Sequence, residues 1–206
     1  MEKLSVRTFQ WGLLTILILR VRSEKEKSNP LLPLIPDVID QLPPHKIWGE
    51  YEGGIPINFG NSITPLQAND TPISIRWIDD QPGRLYVLMM LDMDGPTSEN
   101  PVNSPVNHWL VGNIEVGKGN SWRRGTVLAV YSRPRPEEGS GLHRYVFLVY
   151  EQPGGGMISF SETLIPSGPS LARRNFDYRQ FAKKYRLGEP FAANYFQSFF
   201  VDGEFN

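Results

Sequence analysis

The sequence predicts a mainly antiparallel β-sandwich with one or two peripheral helices near the C-terminus, and three observations support this fold class. Eighteen prolines and nineteen glycines in 206 residues favour a chain with many turns over a helical bundle. Short apolar or alternating runs, each bounded by turn residues, recur along the chain. One stretch, near residues 175–190, has the spacing and end signals of a helix. A chain of this length can bury the core of one domain.

The predicted strands follow the apolar runs in order. The Gly53-Gly54 pair forms a turn between two of them. Ile73, Ile75 and Trp77 alternate on one face of a half-buried strand. The segment 145–151 (YVFLVYE) is apolar on both faces, which favours a central strand. The predicted set is 45–52, 55–59, 72–78, 85–91, 109–114, 126–131, 145–151 and 191–201, with turns at 79–83 and 117–120.

The predicted helix follows in the last third of the chain. Asn175 is a residue type that caps helix N-termini, and Gly188 with Pro190 ends the helix. Four apolar side chains at helical spacing form its buried face: Phe176, Phe181, Ala182 and Tyr185.

Three segments organise the chain: a signal peptide at residues 1–23, a charged and proline-rich arm at 24–44, and a folded domain at 45–206. Lys3 and Arg7 precede the apolar run WGLLTILIL at 11–19, which is shorter than the ~20 residues of a membrane span. The pattern predicts cleavage after Ser23 and a secreted protein. Arginines spread through this segment also suit a mitochondrial presequence, so a mitochondrial or cytoplasmic location is the alternative. One short helical turn is expected at residues 37–41.

Composition excludes several classes of function. The formal net charge of −1 gives no electrostatic footprint for nucleic acid. The absence of cysteine excludes disulfides, thiol catalysis and thiolate metal sites. No nucleophile elbow or phosphate-binding glycine loop is present, which argues against common hydrolase and nucleotide chemistry. Asn69-Asp70-Thr71 matches the glycosylation pattern, although such triplets also arise by chance.

Polar residues gather at the ends of neighbouring predicted strands. Asp92 and Asp94 end the apolar run at 85–91, Gly95-Pro96 stops it, and His108 opens the next strand. His143 stands just before a further strand. If the strand persists to residue 94, both carboxylates share one face and can act as an acid/base pair or as metal ligands.

These aspartates and histidines can also have purely structural roles. One aspartate can cap the turn while the other is solvated, and a lone histidine is more often a packed residue than a ligand. Two histidines with two carboxylates can hold zinc, yet no short His-x-His spacing supports a metal site. Imidazoles, an arginine and tyrosine hydroxyls together also suit a small anion such as a phosphate monoester or diester.

Two segments resemble the signatures of a known family. Asp92-Met93-Asp94-Gly95-Pro96 followed by His108-Trp109 resembles the first signature of the phosphatidylethanolamine-binding proteins, the Raf kinase inhibitor-like proteins. Residues 141–150 (GLHRYVFLVY) resemble the second. Segments 63–65, 74–77 and 175–185 extend the match over roughly residues 38–200. The resemblance implies a β-sandwich of this family's type with a small cavity for phosphate-bearing head groups, no catalysis and no cofactor.

The resemblance also implies site residues. Carried over by position, the cavity lining is Asp92, Asp94, Gly95, Pro96, His108, His143 and Tyr145. Arg144 matches an arginine that ties strands together by pairing with a carboxylate. The peptide bonds Gly95-Pro96 and Ser104-Pro105 are expected to be cis.

This chain departs from the family pattern at the cavity. Met93 stands where the family has proline, and Val106 stands where it has tryptophan. In place of glycines whose N–H groups cradle the anion, the chain has Arg133-Pro134-Arg135-Pro136. Arg133 and Arg135 can supply charge to a bound anion and are therefore counted as ligand-binding residues. Both can instead block the mouth or remain solvated.

These patterns lead to one functional hypothesis and two alternatives. The leading hypothesis is a monomeric, secreted, non-catalytic protein that binds a small anion or phospholipid head group. The first alternative is an inhibitor of a kinase or a serine protease that acts through the surface around the pocket. The second alternative is a metal-dependent hydrolase.

Overall fold

The structure is a computed structural model and describes residues 29–78, 83–115 and 121–203. Two compact units divide the chain, residues 1–42 and residues 43–206. The predicted signal peptide at 1–23 and nearly all of the turns predicted at 79–83 and 117–120 lie outside the described residues. Within the described ranges, no helix has the length and apolar character needed to cross a membrane.

The described part of the first unit contains a 3-10 turn at Leu32–Leu34 instead of the helical turn expected at 37–41. Pro33 lies in the first turn of this helix, where its missing N–H removes no hydrogen bond. The turn ends at Ile35, which is extended and precedes the cis Ile35-Pro36 bond. Helical backbone angles are disfavoured for a residue that precedes proline, so the 3-10 turn ends at Ile35.

In the part of the second unit that the structure describes, there are nine strands. Every predicted strand is present, with its ends shifted by three residues at most, and the short third strand is additional. The strands are β1 His45–Tyr51, β2 Ile55–Ile57, β3 Asn61–Ser62, β4 Ser74–Trp77, β5 Leu85–Asp92, β6 Val106–Glu115, β7 Thr126–Ala129, β8 His143–Glu151 and β9 Ala192–Ser198.

The strands are hydrogen-bonded in the order β2-β1-β9-β8-β5-β6-β7, with β4 paired to β1 and β3 paired to β9. Most pairs are antiparallel, but β9 runs parallel to both β1 and β3. The sheet is therefore mixed, although most of its pairs are antiparallel, as the sequence predicted. β8 lies between β5 and β9, which confirms its predicted central position.

The core joins side chains from strands that are not hydrogen-bonded neighbours. Trp77 of β4 packs edge-to-face on Tyr86 of β5, with ring centroids 5.4 Å apart, although these strands are not paired. On β5 the side chains of the core cluster are Tyr86, Leu88 and Met90, which alternate along the strand and share one face. The short strands β1, β2 and β4 thus cover one face of the main sheet.

The predicted helix is present but begins later than expected. Helix α1 spans Tyr178–Lys184, and its N-cap is Asp177, whose carboxylate accepts the N–H of Gln180. Asn175, the predicted cap, has a positive φ of 52° and donates its N–H to Asn103. Asparagine tolerates this left-handed conformation better than most residues, so Asn175 turns the chain rather than capping the helix.

Candidate functional site

The connection between β5 and β6 returns to the end of β5. β5 ends at Asp92 and β6 begins at Val106, and these residues are partners in the antiparallel register. The bonds Gly95-Pro96 and Ser104-Pro105 are both cis, which confirms that prediction. Ser104 Oγ accepts the N–H of Gly95 at 2.7 Å and so closes the loop on itself. Asp92 is thereby held beside the start of β6.

The Asp92 carboxylate is buried and hydrogen-bonded through both oxygens. Oδ1 accepts the backbone N–H of Asp94 at 2.9 Å, and Oδ2 accepts the Nδ1–H of His143 at 2.9 Å. β8 begins at His143 and pairs with β5, with Tyr145 opposite Asp92. Strand pairing therefore brings together an aspartate and a histidine that are far apart in the sequence.

Asp94 is held by Arg144 and does not line the cavity described below. Its Oδ2 accepts the backbone N–H of Arg144 at 2.8 Å and the Nε–H at 2.9 Å, and its Oδ1 accepts Nη2 at 2.8 Å. This ion pair confirms the expectation that Arg144 pairs with a carboxylate. Because β5 ends at Asp92, the alternation that would place both aspartates on one face does not reach residue 94.

His108 is buried in β6 and faces the segment after β7. A carbonyl can only accept, so the Nδ1–H of His108 donates to the carbonyl of Ser132 at 2.8 Å. Burial lowers the pKa of His108, and the positive charges of Arg173 and His143 lower it further. The charge of Asp92 and the hydrogen bond to Ser132 raise this pKa, but by less. The ring is therefore neutral near pH 7, and its Nε2 is a hydrogen-bond acceptor.

His143 is also buried, but its pKa is raised, whereas that of His108 is lowered. Burial alone would lower the pKa of His143, yet the bond to Asp92, the charges of Asp92 and Asp94 and the nearby Ser140 carbonyl together raise it. Its Nε2 is buried and completes no hydrogen bond within the described residues. In the imidazolium form this nitrogen is a donor, so the two histidines offer one acceptor and one charged donor.

Tyr145 contacts both imidazoles. Its ring centroid lies 5.1 Å from that of His108, edge-to-face, and 6.4 Å from that of His143, nearly parallel. Burial and the neighbouring Asp92 raise the pKa of Tyr145, so the hydroxyl stays protonated. This hydroxyl is buried, and no hydrogen bond to it is completed in the part of the chain that the structure describes. The Asp92 carboxylate and the Arg135 backbone are polar groups near it.

These side chains line one cavity of about 340 Å³. Such a volume is at the small end of ligand pockets. Eight of the predicted site residues are in its wall: Asp92, Gly95, Pro96, His108, Arg133, Arg135, His143 and Tyr145. Val106 also contributes to the wall.

Positive charge surrounds this cavity. Four arginines line it, two from the predicted loop and two from the segment before α1: Arg133, Arg135, Arg173 and Arg174. The acidic side chains in the wall are Asp92 and Glu137. Arg133 also donates to the Asn69 side chain at 2.7 Å. Arginines therefore outnumber carboxylates in the wall of this cavity.

Arg173 also lines the cavity, although no sequence pattern pointed to it. Its side chain is fully buried, and its guanidinium donates to backbone carbonyls of three separate segments. These acceptors are Gly168, Asn107, His108, Val130 and Pro166. Burial lowers the pKa of Arg173, but an arginine remains charged in proteins. No spacing rule identifies such a residue, because its partners are carbonyls that only the fold brings together.

The segment 169–174, which carries no distinctive sequence pattern, forms one wall of the cavity. A 3-10 turn at Leu171–Arg173 is capped by Ser170, whose Oγ accepts the N–H of Ala172. Leu171 lines the cavity and is 77% exposed. Across the ranges 29–78, 83–115 and 121–203, no three His, Cys, Asp or Glu residues are grouped as metal ligands.

Comparison with known proteins gives consistent results. A family profile described as "Phosphatidylethanolamine-binding protein" matches residues 47–196. The Drosophila melanogaster protein named "Putative odorant-binding protein A5" is 32% identical over 167 residues, which are 81% of this chain and 76% of that protein. The solution structure of CG7054 is 36% identical with a TM-score of 0.64, over 83% of this chain and 93% of that chain.

A further solved structure shares the fold. A chain of the crystal structure of carboxypeptidase Y inhibitor complexed with its cognate proteinase has a TM-score of 0.67 and 23% identity. The match covers 85% of this chain and 93% of that chain. At this level of identity the likeness concerns the fold alone.

Proposed function

Because the chain belongs to the phosphatidylethanolamine-binding protein family, we propose that it is a non-catalytic protein that binds a phosphate-bearing head group, such as that of phosphatidylethanolamine. The observation that supports this proposal is the presence of His108 and His143 in the wall of one cavity. They come from different strands and offer opposite hydrogen-bonding roles.

The chemistry of the wall matches a zwitterionic head group. In its imidazolium form, which the raised pKa favours, His143 can donate from Nε2 to a phosphate oxygen, and the arginines that line the cavity add charge. The neutral His108 accepts at Nε2, and Asp92 lies in the same wall, so both suit the ammonium group. The Tyr145 hydroxyl completes the donor set, while Gly95 and Pro96 shape the wall. Asp94 acts indirectly, by holding Arg144 and by its charge near His143.

Calorimetric titration with phosphoethanolamine tests this proposal. Replacing either cavity histidine, His108→Ala or His143→Ala, is expected to weaken binding at least about tenfold, since each loss removes a buried polar contact. His45→Ala is the matched control, because His45 is the third histidine of the chain and lies outside the cavity wall. Equal heats for the native protein and both cavity variants, or no heat from the native protein, would refute the proposal.

The alternative function is inhibition of a serine protease or a kinase through the surface around the cavity. The exposed Leu171 at the mouth favours it, because an apolar side chain at the centre of a polar rim can enter a pocket of a partner. If this alternative holds, Leu171→Ala weakens inhibition of the target enzyme more than it weakens phosphoethanolamine binding.

We further propose that the protein is secreted and monomeric. The sequence at residues 1–23 supports secretion, and the fly relative is named as an odorant-binding protein. A neutral odorant fits the charged wall of this cavity less well than an anion does. Cleavage after Ser23, measured by N-terminal sequencing of protein from the medium, is the expected result. Retention of residues 1–23 would favour the cytoplasmic or mitochondrial alternative.

A further inference from the structure

The triplet Asn69-Asp70-Thr71 is the only sequence in this chain that matches Asn-x-Ser/Thr with a residue other than proline in the middle. The pattern alone is weak evidence. The structure places it in a bend after β3, where Asn69 and Asp70 are exposed and Thr71 is half-buried. An oligosaccharide therefore has room at this position.

The bend is fixed against the cavity wall. Ala68 is fully buried, and its carbonyl accepts the Tyr131 hydroxyl at 2.7 Å. Asn69 Oδ1 then accepts Nη1 of Arg133 at 2.7 Å. Tyr131 and Arg133 flank Ser132, the residue that holds His108. The amide of Asn69 is consequently one hydrogen bond away from a residue that lines the cavity.

The hydrogen bonds of Asn69 are compatible with a sugar. Its Nδ2 carries two hydrogens, and one of them is donated to Asp70 Oδ2 at 3.0 Å. Glycosylation forms a bond from Nδ2 to the sugar carbon of a lipid-linked oligosaccharide pyrophosphate, breaks that carbon's bond to the pyrophosphate, and releases one amide proton. Oδ1 is unchanged by this step and continues to accept from Arg133.

We propose that Asn69 carries an N-linked glycan at the mouth of the cavity, and that this glycan admits small soluble phosphate compounds while holding a phospholipid bilayer away. A soluble head group can pass beside a flexible, hydrated sugar chain. A bilayer is a continuous surface, so it must approach the whole rim at once. The first half of the proposal rests on the proposed secretion, and the second half rests in addition on the proposed anion-binding function.

The site itself is tested by the mass of the secreted protein. The full-length chain is expressed behind an added secretion signal in insect cells, and its intact mass and the peptide containing Asn69 are measured. The native chain and Thr71→Ser are expected to gain oligosaccharide mass on Asn69, because both keep the acceptor pattern. Thr71→Ala is expected to gain none, although it keeps Asn69 and its bond to Arg133. Secretion of the native chain without a sugar on Asn69 would overturn the proposal.

The effect on access is tested by comparing the glycosylated native chain with Thr71→Ala. Both should bind phosphoethanolamine with dissociation constants within about twofold of each other. Co-sedimentation with phosphatidylethanolamine-phosphatidylcholine vesicles should be roughly fivefold lower for the glycosylated chain. Equal vesicle binding by the two forms would refute the role in excluding membranes. Enzymatic removal of the sugar is unsuitable, because it converts Asn69 to aspartate and adds a charge beside Arg133.

The two measurements separate failure of this site from failure of the proposed function. Sugar on Asn69 without any phosphoethanolamine binding refutes the anion-binding function and the role of the glycan in access, and supports the modification site. Anion binding without the sugar refutes the modification site and leaves the proposed function standing.

Discussion

Arg173→Met is expected to lower the free energy of unfolding by about 3–5 kcal/mol. Arg173 is 2% exposed, and its guanidinium donates to five carbonyls from the start of β6, the residue after β7 and the segment 166–168. Two of these carbonyls, those of Asn107 and His108, belong to buried residues. Methionine fills similar space but donates no hydrogen bond, so these carbonyls lose their partner. Urea unfolding followed by tryptophan fluorescence measures the loss, and Trp109 lies one residue beyond the contacts in β6.

The neighbouring Arg174 provides the matched control. It is exposed, so Arg174→Met should change the free energy of unfolding by no more than about 0.5 kcal/mol. Arg173→Lys should give an intermediate loss, because it keeps the charge but has fewer donors in a less suitable geometry. A loss below about 1 kcal/mol for Arg173→Met would contradict the structural role assigned here.

Asp92→Asn is expected to shift sulfate binding to lower pH, so that the variant loses sulfate at a lower pH than the native protein does. Sulfate is a tetrahedral dianion whose charge does not change over this pH range. In the native protein Asp92 raises the pKa of His143 against the effect of burial. Without that carboxylate burial dominates, the pKa of His143 falls, and the charged donor is present only at lower pH. Calorimetry across pH, with NMR titration of the histidine ring protons, measures both changes.

Glu137→Gln is the control for this experiment. Glu137 is the other acidic residue of the cavity wall, but it is not among the groups that shift the pKa of His143. This variant should keep the native pH dependence of sulfate binding. If Asp92→Asn shows the native pH dependence as well, the Asp92–His143 pair does not control the charge of the cavity.

The same pair also affects stability, and the sign follows from the direction of the shift. Folding raises the pKa of His143, so protonation of this ring stabilises the folded protein. This stabilisation is complete below pH 6.5, near the pKa of the unfolded chain, and is lost as the pH rises through the pKa of the folded protein. His108 acts in the opposite direction, because its lowered pKa removes stability as pH falls below 6.5. The difference in unfolding free energy between native protein and Asp92→Asn should therefore be largest below pH 6.5.

Local patterning predicted most of the strands, because apolar alternation and turn residues act over a few positions. The helix start was predicted wrongly, since Asn175 and Asp177 are both good caps and only tertiary contacts decide between them. The parallel pairing of β9 with β1 was also missed. Its register joins His45 to Ala192, and no local signal reports a contact at that separation.

The cavity was predictable where family signatures cover it, which is why the two histidines and Asp92 were identified. Asp94 was placed in the wall by the family resemblance, and strand alternation was expected to put it on the same face as Asp92, but β5 ends at Asp92 and Asp94 is absent from the wall. The wall formed by residues 169–174 was missed, because an irregular segment has no periodicity to interpret. Its main anchor, Arg173, binds carbonyl groups, which every residue carries and no sequence pattern distinguishes.

The position of the last strand has a consequence for synthesis. β9 is made after every other strand, yet it lies between β1 and β8 in the middle of the sheet. A nascent chain therefore holds β1 and β8 with open backbone edges until Ala192–Ser198 has left the ribosome. Premature termination before Ala192 would remove the centre of the sheet, and the exposed edges would recruit other chains into aggregates.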